Sequence, residues 1–303
     1  MLWCEEDQLL SQHLRSFSGL FNQPLEDVIF PEGLQHLTFG LYFNQSFRFV
    51  SLPQSLQSLS LAHDFKQTAD GIPLPKKLHT FNFGGTLIPS GKKLHLPCTL
   101  RKLTLSKRFN QNLNDVILPE DLEDLILAGD FNQPLDHFSF PEGLQSLTLA
   151  GDFNQSISAV RFPRNLQELK FGFRFNQDLN GVIFPCNLHH LAFGHEFHQD
   201  IRPASFPENL KILSFGWAFD HSLHAVKWPS GLQQLSFKHS FNQSLNGVEF
   251  PSDLRSLTFA QEFNQKLVAL PNSIEELIFG NHFNETLEGG IVFFWNWSKG
   301  LPS

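Results

Sequence analysis

"AGDFNQPLDHFSFPEGLQSLTLAGDFNQ", residues 128–155, starts and finishes on the same six letters. Working outward from it, the phenylalanine of the FNQ triplet returns at Phe21, Phe43, Phe65, Phe109, Phe131, Phe153, Phe175, Phe197, Phe219, Phe241 and Phe263. The interval is 22 residues; Leu87 holds the slot between Phe65 and Phe109, and Phe283 follows the last of the series after 20. A proline keeps the same beat from Pro31 through Pro141, Pro163 and Pro185 to Pro251, then Pro271. Self-similarity at such a fixed period marks a repeat architecture, in which each unit buries its apolar face only against its neighbours.

Composition agrees with copying of one unit. The 303 residues include 34 Phe against 1 Tyr and 1 Met, with 41% hydrophobic and 17% charged residues, a globular balance. The net charge of -8 argues against nucleic acid as a partner, because a phosphate-backbone binder carries a basic stripe. No apolar run approaches the roughly 18 residues of a membrane helix, so no membrane partner is expected. The acidic start MLWCEEDQLL lacks the basic end and apolar core of a secretory signal, which points to the cytoplasm or nucleus. Cys98 and Cys186 lie four periods apart, about 19 Å in a regular stack, too far for a disulfide. With Cys4 the cysteine count is three, which suits a reducing compartment. Three of the five N-x-S/T sequons, at Asn44, Asn154 and Asn242, are by-products of the FNQS form of the repeat. The other two are at Asn284 and Asn296.

Within the unit at residues 141–162, apolar residues follow the proline by three, six and eight positions (Leu144, Leu147, Leu149), then come Phe153, Ile157, Val160 and Phe162. The alternation at the LxxLxL end reads as a short strand with one face buried, and a proline in every unit excludes a long helix. The expected fold is a β-rich repeat solenoid of about 12–13 coils. Each coil carries one short strand in a parallel sheet, and an extended or weakly paired segment lies on the opposite side. Residues 1–20 are read as an N-terminal cap, helical through Leu9–Leu14; residues 21–290 as a single solenoid; and residues 291–303 as a C-terminal cap or tail. Residues 84–97 lose FNQ and place Gly91 at an apolar position, so that coil is expected to bulge. Phe131, Asn132, Phe153, Asn154, Phe175 and Asn176 are assigned to a structural spine: stacked rings inside, with each Asn amide bonding turn backbone or its neighbour's amide.

The LxxLxL strand is similar to that of leucine-rich repeats. FNQP at Phe21–Pro24 and Phe131–Pro134, with FPEGLQxLTxG, resembles the FNIP-repeat branch of that superfamily. The resemblance implies a curved solenoid whose strands line a concave face. It also implies substrate capture for a ubiquitin ligase as an alternative function, since family members are often coupled to an F-box. The 20 residues before Phe21 are too few for a helical F-box.

No nucleotide-binding or nucleophile motif occurs, and HEFH at residues 195–198 has the wrong spacing for a zinc helix. His195 and His239 share a slot two coils apart, about 10 Å, too far to hold one ion. An enzyme, a metal, a cofactor and a small-molecule substrate are therefore not expected. Selectivity can reside only where side chains leave the core, four, five, seven, ten and eleven positions after each proline. The mixed row His36, Ser58, Thr80, Lys102, Asp124, Ser146, Glu168 does not suit a flat ice-binding face. Arg101 and Lys102 beside Glu123 and Asp124 are expected to form cross-strand ion pairs. The tenth slot reads Phe173, His195, Trp217, His239 in four successive coils, and Arg174 and Glu196 follow in the eleventh. These six are the candidate contacts to a protein partner, because aromatic residues on an outer row are binding anchors elsewhere.

Overall fold

The computed structural model describes residues 14–17, 19–61, 65–85, 94–105 and 108–286. The readings placed on Leu9 to His13, Leu87, Gly91 and the tail 291–303 lie outside these residues. The chain divides into two compact units; the first runs to Gln133 and takes back Phe140–Leu144, while the second takes Pro134–Ser139 and the chain from Gln145 onward.

In the first unit the strands are β1 (Leu14–Ser16), β2 (His36–Thr38), β3 (Ser58–Ser60), β4 (Thr80–Phe83), β5 (Leu94–His95), β6 (Lys102–Leu105), β7 (Val116–Ile117) and β8 (Asp124–Leu127). The second holds β9 (Ser146–Leu149), β10 (Glu168–Phe171), β11 (His190–Ala192), β12 (Ile212–Phe215), β13 (Gln234–Phe237), β14 (Ser256–Thr258) and β15 (Glu276–Ile278). Within each unit the strands of the main sheet pair in parallel, and the register equals the sequence period. His36 faces Ser58, and Glu168 lies between Ser146 and His190, each pair 22 residues apart. Ser256 faces Glu276 across the one 20-residue step. Leu14, expected in a helical cap, lies instead in β1, which pairs with β2 in the same register. Among the described residues the only helical turns are the 3-10 segments Ala69–Gly71 and Leu113–Asp115, and no helix is long and apolar enough to cross a membrane.

Two hydrogen-bonded turns recur in the described coils. The carbonyl of the repeated proline accepts from the N–H three residues on, as in Leu144 to Pro141 at 3.1 Å and Leu166 to Pro163 at 3.2 Å. Proline sits there at no cost, since the turn uses its carbonyl and not the N–H it lacks. A second turn closes on the far side, Val160 donating to Ile157 and Val182 to Leu179, each at 3.2 Å. These turns carry the extended opposite side. It pairs as a ladder only between β5 and β7 among the described residues.

The core is what the alternation demands. Leu147 and Leu149 of β9 point in, Ser146 and Thr148 are half-exposed, and Leu144, Phe153 and Ile157 are fully buried. The FNQ rings form a column: Phe153, Phe175, Phe197 and Phe219 stack at 6.1–6.2 Å with planes within 7°. A second column, from the position eight after the proline, runs through Phe171, Phe193, Phe215 and Phe237 at 5.5–5.6 Å. The two columns touch within each coil, Phe193 lying 4.0 Å from Phe197. Burial of each ring contributes on the order of 1.5–3 kcal/mol.

The asparagines work differently from the expected turn amide. It is the side-chain carbonyl that acts, and it reaches the next coil. Oδ1 of Asn110 accepts from the backbone N–H of Asn132 at 2.9 Å, and Oδ1 of Asn154 from that of Asn176 at 3.0 Å. The following glutamine completes the rung, Gln177 Nε2 donating to Asn154 Oδ1 at 2.8 Å. Asp220 substitutes without loss, because a carboxylate oxygen accepts equally well from Asn242 and Gln243. His198, in the same slot, is exposed; its N–H takes the rung from Asn176 and its Nδ1 lies 2.8 Å from the Ala218 carbonyl oxygen.

Candidate functional site

The exit corner of each strand sets the candidate surface. Nine positions after the proline, Gly172, Gly194 and Gly216 bring successive backbones so close that a Cβ on Gly194 would overlap the Gly172 carbonyl, and one on Gly216 the Gly194 carbonyl. The approach is held by a backbone ladder: Glu196 N–H to Phe173 at 2.8 Å, Ala218 to His195 at 2.9 Å, Ser240 to Trp217 at 3.0 Å and Glu262 to His239 at 3.0 Å. Residues in the tenth slot therefore project from adjacent coils in a line.

There the four aromatic side chains meet face to face. Phe173 and His195 have ring centroids 4.5 Å apart, His195 and Trp217 5.3 Å, and Trp217 and His239 4.3 Å, with planes within 18°. Phe173 is 50% and Trp217 47% exposed, while the two histidines are half-buried between and beside them. The Nδ1 atom of His195 is buried and takes no hydrogen bond among the described residues. His239 Nε2 lies 3.9 Å from Glu262, whose other oxygen contacts His282 at 2.9 Å. Arg174 is bound through Nε to Asp152 at 2.8 Å. The half-buried Glu196 lies one coil beyond Arg174 in the same slot. The fold thus gathers all six candidate residues on one corner of the second unit. The spine residues lie on the buried columns and their rungs.

On the strand face the polar rows form local ion pairs. Lys102 reaches Asp124 at 2.6 Å and Arg101 reaches Glu123 at 3.6 Å, as their spacing requires. The densest group centres on Glu168, which holds Lys170 at 2.7 Å, His190 at 2.8 Å and the Ser146 hydroxyl at 3.2 Å. Partial burial pushes the Glu168 carboxyl up, but the hydrogen bond and charge of Lys170, with Ser146 and His190, outweigh it and leave its pKa below the usual carboxylate value. Among the described residues no set of His, Cys, Asp or Glu is grouped to hold a metal ion.

A second apolar group escaped the slot reading. Leu20, Leu41 and Tyr42, at the tenth and eleventh slots of the first two coils, are 82%, 55% and 64% exposed, and the Tyr42 N–H bonds the Gly19 carbonyl at 3.1 Å. The signal was present, since Tyr42 is the chain's only tyrosine and stands in the exit row. Phe49, with the Arg48 guanidinium 5.4 Å from its ring centroid, is exposed on the other side of its coil.

One parallel strand per 22-residue coil, two turns and an inner phenylalanine column define a leucine-rich-repeat-like solenoid. The FNIP Repeat model matches residues 21–64, 43–86, 131–174, 175–217, 197–240, 241–282 and 263–291. The chain belongs to the FNIP-repeat family. Among solved structures, it is similar to CroV588, described as a novel circular LRR protein, with 28% identity and a TM-score of 0.66 over 91% of this chain. The match covers 48% of that protein, so the chain spans about half its length. Weaker likenesses are to an internalin, inlF, from Listeria monocytogenes (13% identity, TM-score 0.45, covering 86% of this chain and 71% of that one) and to the functional domain of InlJ from the same organism (13%, 0.44, 83% and 59%). Comparison with curated proteins gives no match.

Proposed function

We propose that this protein is a non-enzymatic recognition scaffold that binds a protein partner through the exit row Phe173, His195, Trp217 and His239, with Arg174 and Glu196 at its rim and the polar strand face beside it. The observation that carries the reading is the stack itself, whose two largest rings are half-exposed on an otherwise polar corner. Rings already packed against each other lose little freedom when a partner covers them, so their burial goes largely into affinity. Leucine-rich-repeat-like solenoids commonly mediate protein–protein interaction, and their selectivity lies in the residues that the repeat does not constrain. The setting we infer is a reducing compartment, in keeping with the exposed thiols of Cys98 and Cys186.

The test is capture of partners by the wild type against a Phe173→Ala/Trp217→Ala double variant, with folding checked by circular dichroism. Partners lost on a folded double variant support the exit row. An unchanged set of partners removes it.

A further inference from the structure

The ring stack is one-sided. Phe173 presents one face to His195 at 4.5 Å, its one ring contact. Its other face looks along the column toward the preceding coil, whose tenth slot is Gly151; the two coils are joined there by the Arg174 N–H to Gly151 carbonyl bond at 3.0 Å. Glycine has no side chain to cover the ring, and half of Phe173 remains accessible. Among the described residues no ring continues the series on that side of Phe173.

The charges at this seat are already matched. Asp152, beside Gly151, holds the Arg174 guanidinium at 2.8 Å. The carboxylate is thereby committed, and the guanidinium stands where a second cation would be repelled. A neutral flat group fits, and the Asp152–Arg174 pair offers hydrogen-bonding edges to a phenol or indole.

We propose that the Gly151 seat receives one aromatic side chain of the protein partner, which lies flat on Phe173 as the next ring of the column. This rests on the exit-row reading above and names the anchor that the partner must supply. Gly151 serves two ends: its φ of 66° suits the exit turn, and its lack of a side chain leaves the seat open.

The seat is tested without the partner. Saturation-transfer NMR on the full chain is run with N-acetyl-tyrosinamide, N-acetyl-leucinamide and N-acetyl-argininamide as probes. The expected result is transfer to the tyrosinamide ring that falls at least about fivefold in both Phe173→Ala and Gly151→Asn, as loss of an anchor pocket requires. Asparagine is chosen because it tolerates positive φ while filling the seat, and thermal melting confirms that each variant folds. Absent transfer, transfer undiminished in Gly151→Asn, or equal transfer to the leucine or arginine probe each overturns the seat. These outcomes leave the partner reading standing. The capture experiment with the double variant tests the exit-row reading, and an unchanged set of partners there overturns that reading whatever the probes show.

Discussion

A single asparagine shows how the repeat is held at the level of the residue. Oδ1 of Asn176 accepts from the His198 N–H at 2.9 Å and from Gln199 Nε2 at 3.0 Å. Asn176→Ala leaves both donors without that acceptor, and a loss of about 1–3 kcal/mol is expected in denaturant unfolding. Asn176→Asp should cost far less, because Asp220 fills the same role in the same slot two coils on. The glycines obey a different rule. Gly216→Ala would drive a methyl into the Gly194 carbonyl, so the exit corner must open, at a cost of about 1–3 kcal/mol read as a lowered melting temperature. The conformational freedom of glycine is not what matters at Gly216; the close approach is.

At the scale of the element, each strand contributes an inner row that the repeat dictates and an outer row that it leaves free. On β10 the outer row carries Glu168, whose lowered pKa means that it favours the folded state above the ordinary carboxylate range and that this contribution disappears as pH falls through its folded-state value. The melting temperature of wild type should therefore exceed that of Glu168→Gln at pH 7, and the gap should narrow as the pH falls below the ordinary carboxylate range and close once Glu168 is protonated in the folded state. A gap that widens on acidification would contradict the assignment. The outer row was legible as solvent-facing from the alternation of LxxLxL, and the pairing of Lys102 with Asp124 followed from the 22-residue register. That Glu168 collects three partners was not legible, because it depends on how Lys170 turns back along its own strand and how far His190 reaches from the next.

In the molecule as a whole, stability is the sum of coils and their contacts, since each coil touches only its neighbours. Removal of one full period within the second unit, residues 229–250, joins Trp228 to Pro251 and preserves every slot. The far-UV circular dichroism should keep its shape, with a lower melting temperature. Removal of residues 229–239 alone breaks the register and should abolish cooperative melting. The same logic leaves side chains free to depart from the repeat where no neighbouring coil constrains them, as at Phe173 and Trp217 in the second unit and at Leu20, Leu41 and Tyr42 in the first.

By itself, the sequence determined the strand positions, the inner leucines and phenylalanines, the proline turns and the parallel register, because a strict period admits one way of placing equivalent residues side by side. Only the tertiary structure decided where the asparagine carbonyls go, that Phe171, Phe193 and Phe215 form a second inner column, and that four exit-row rings lie flat on one another. Those depend on the rise and rotation between coils, and on glycine backbones approaching to contact. The spacing of letters along one chain does not contain these quantities.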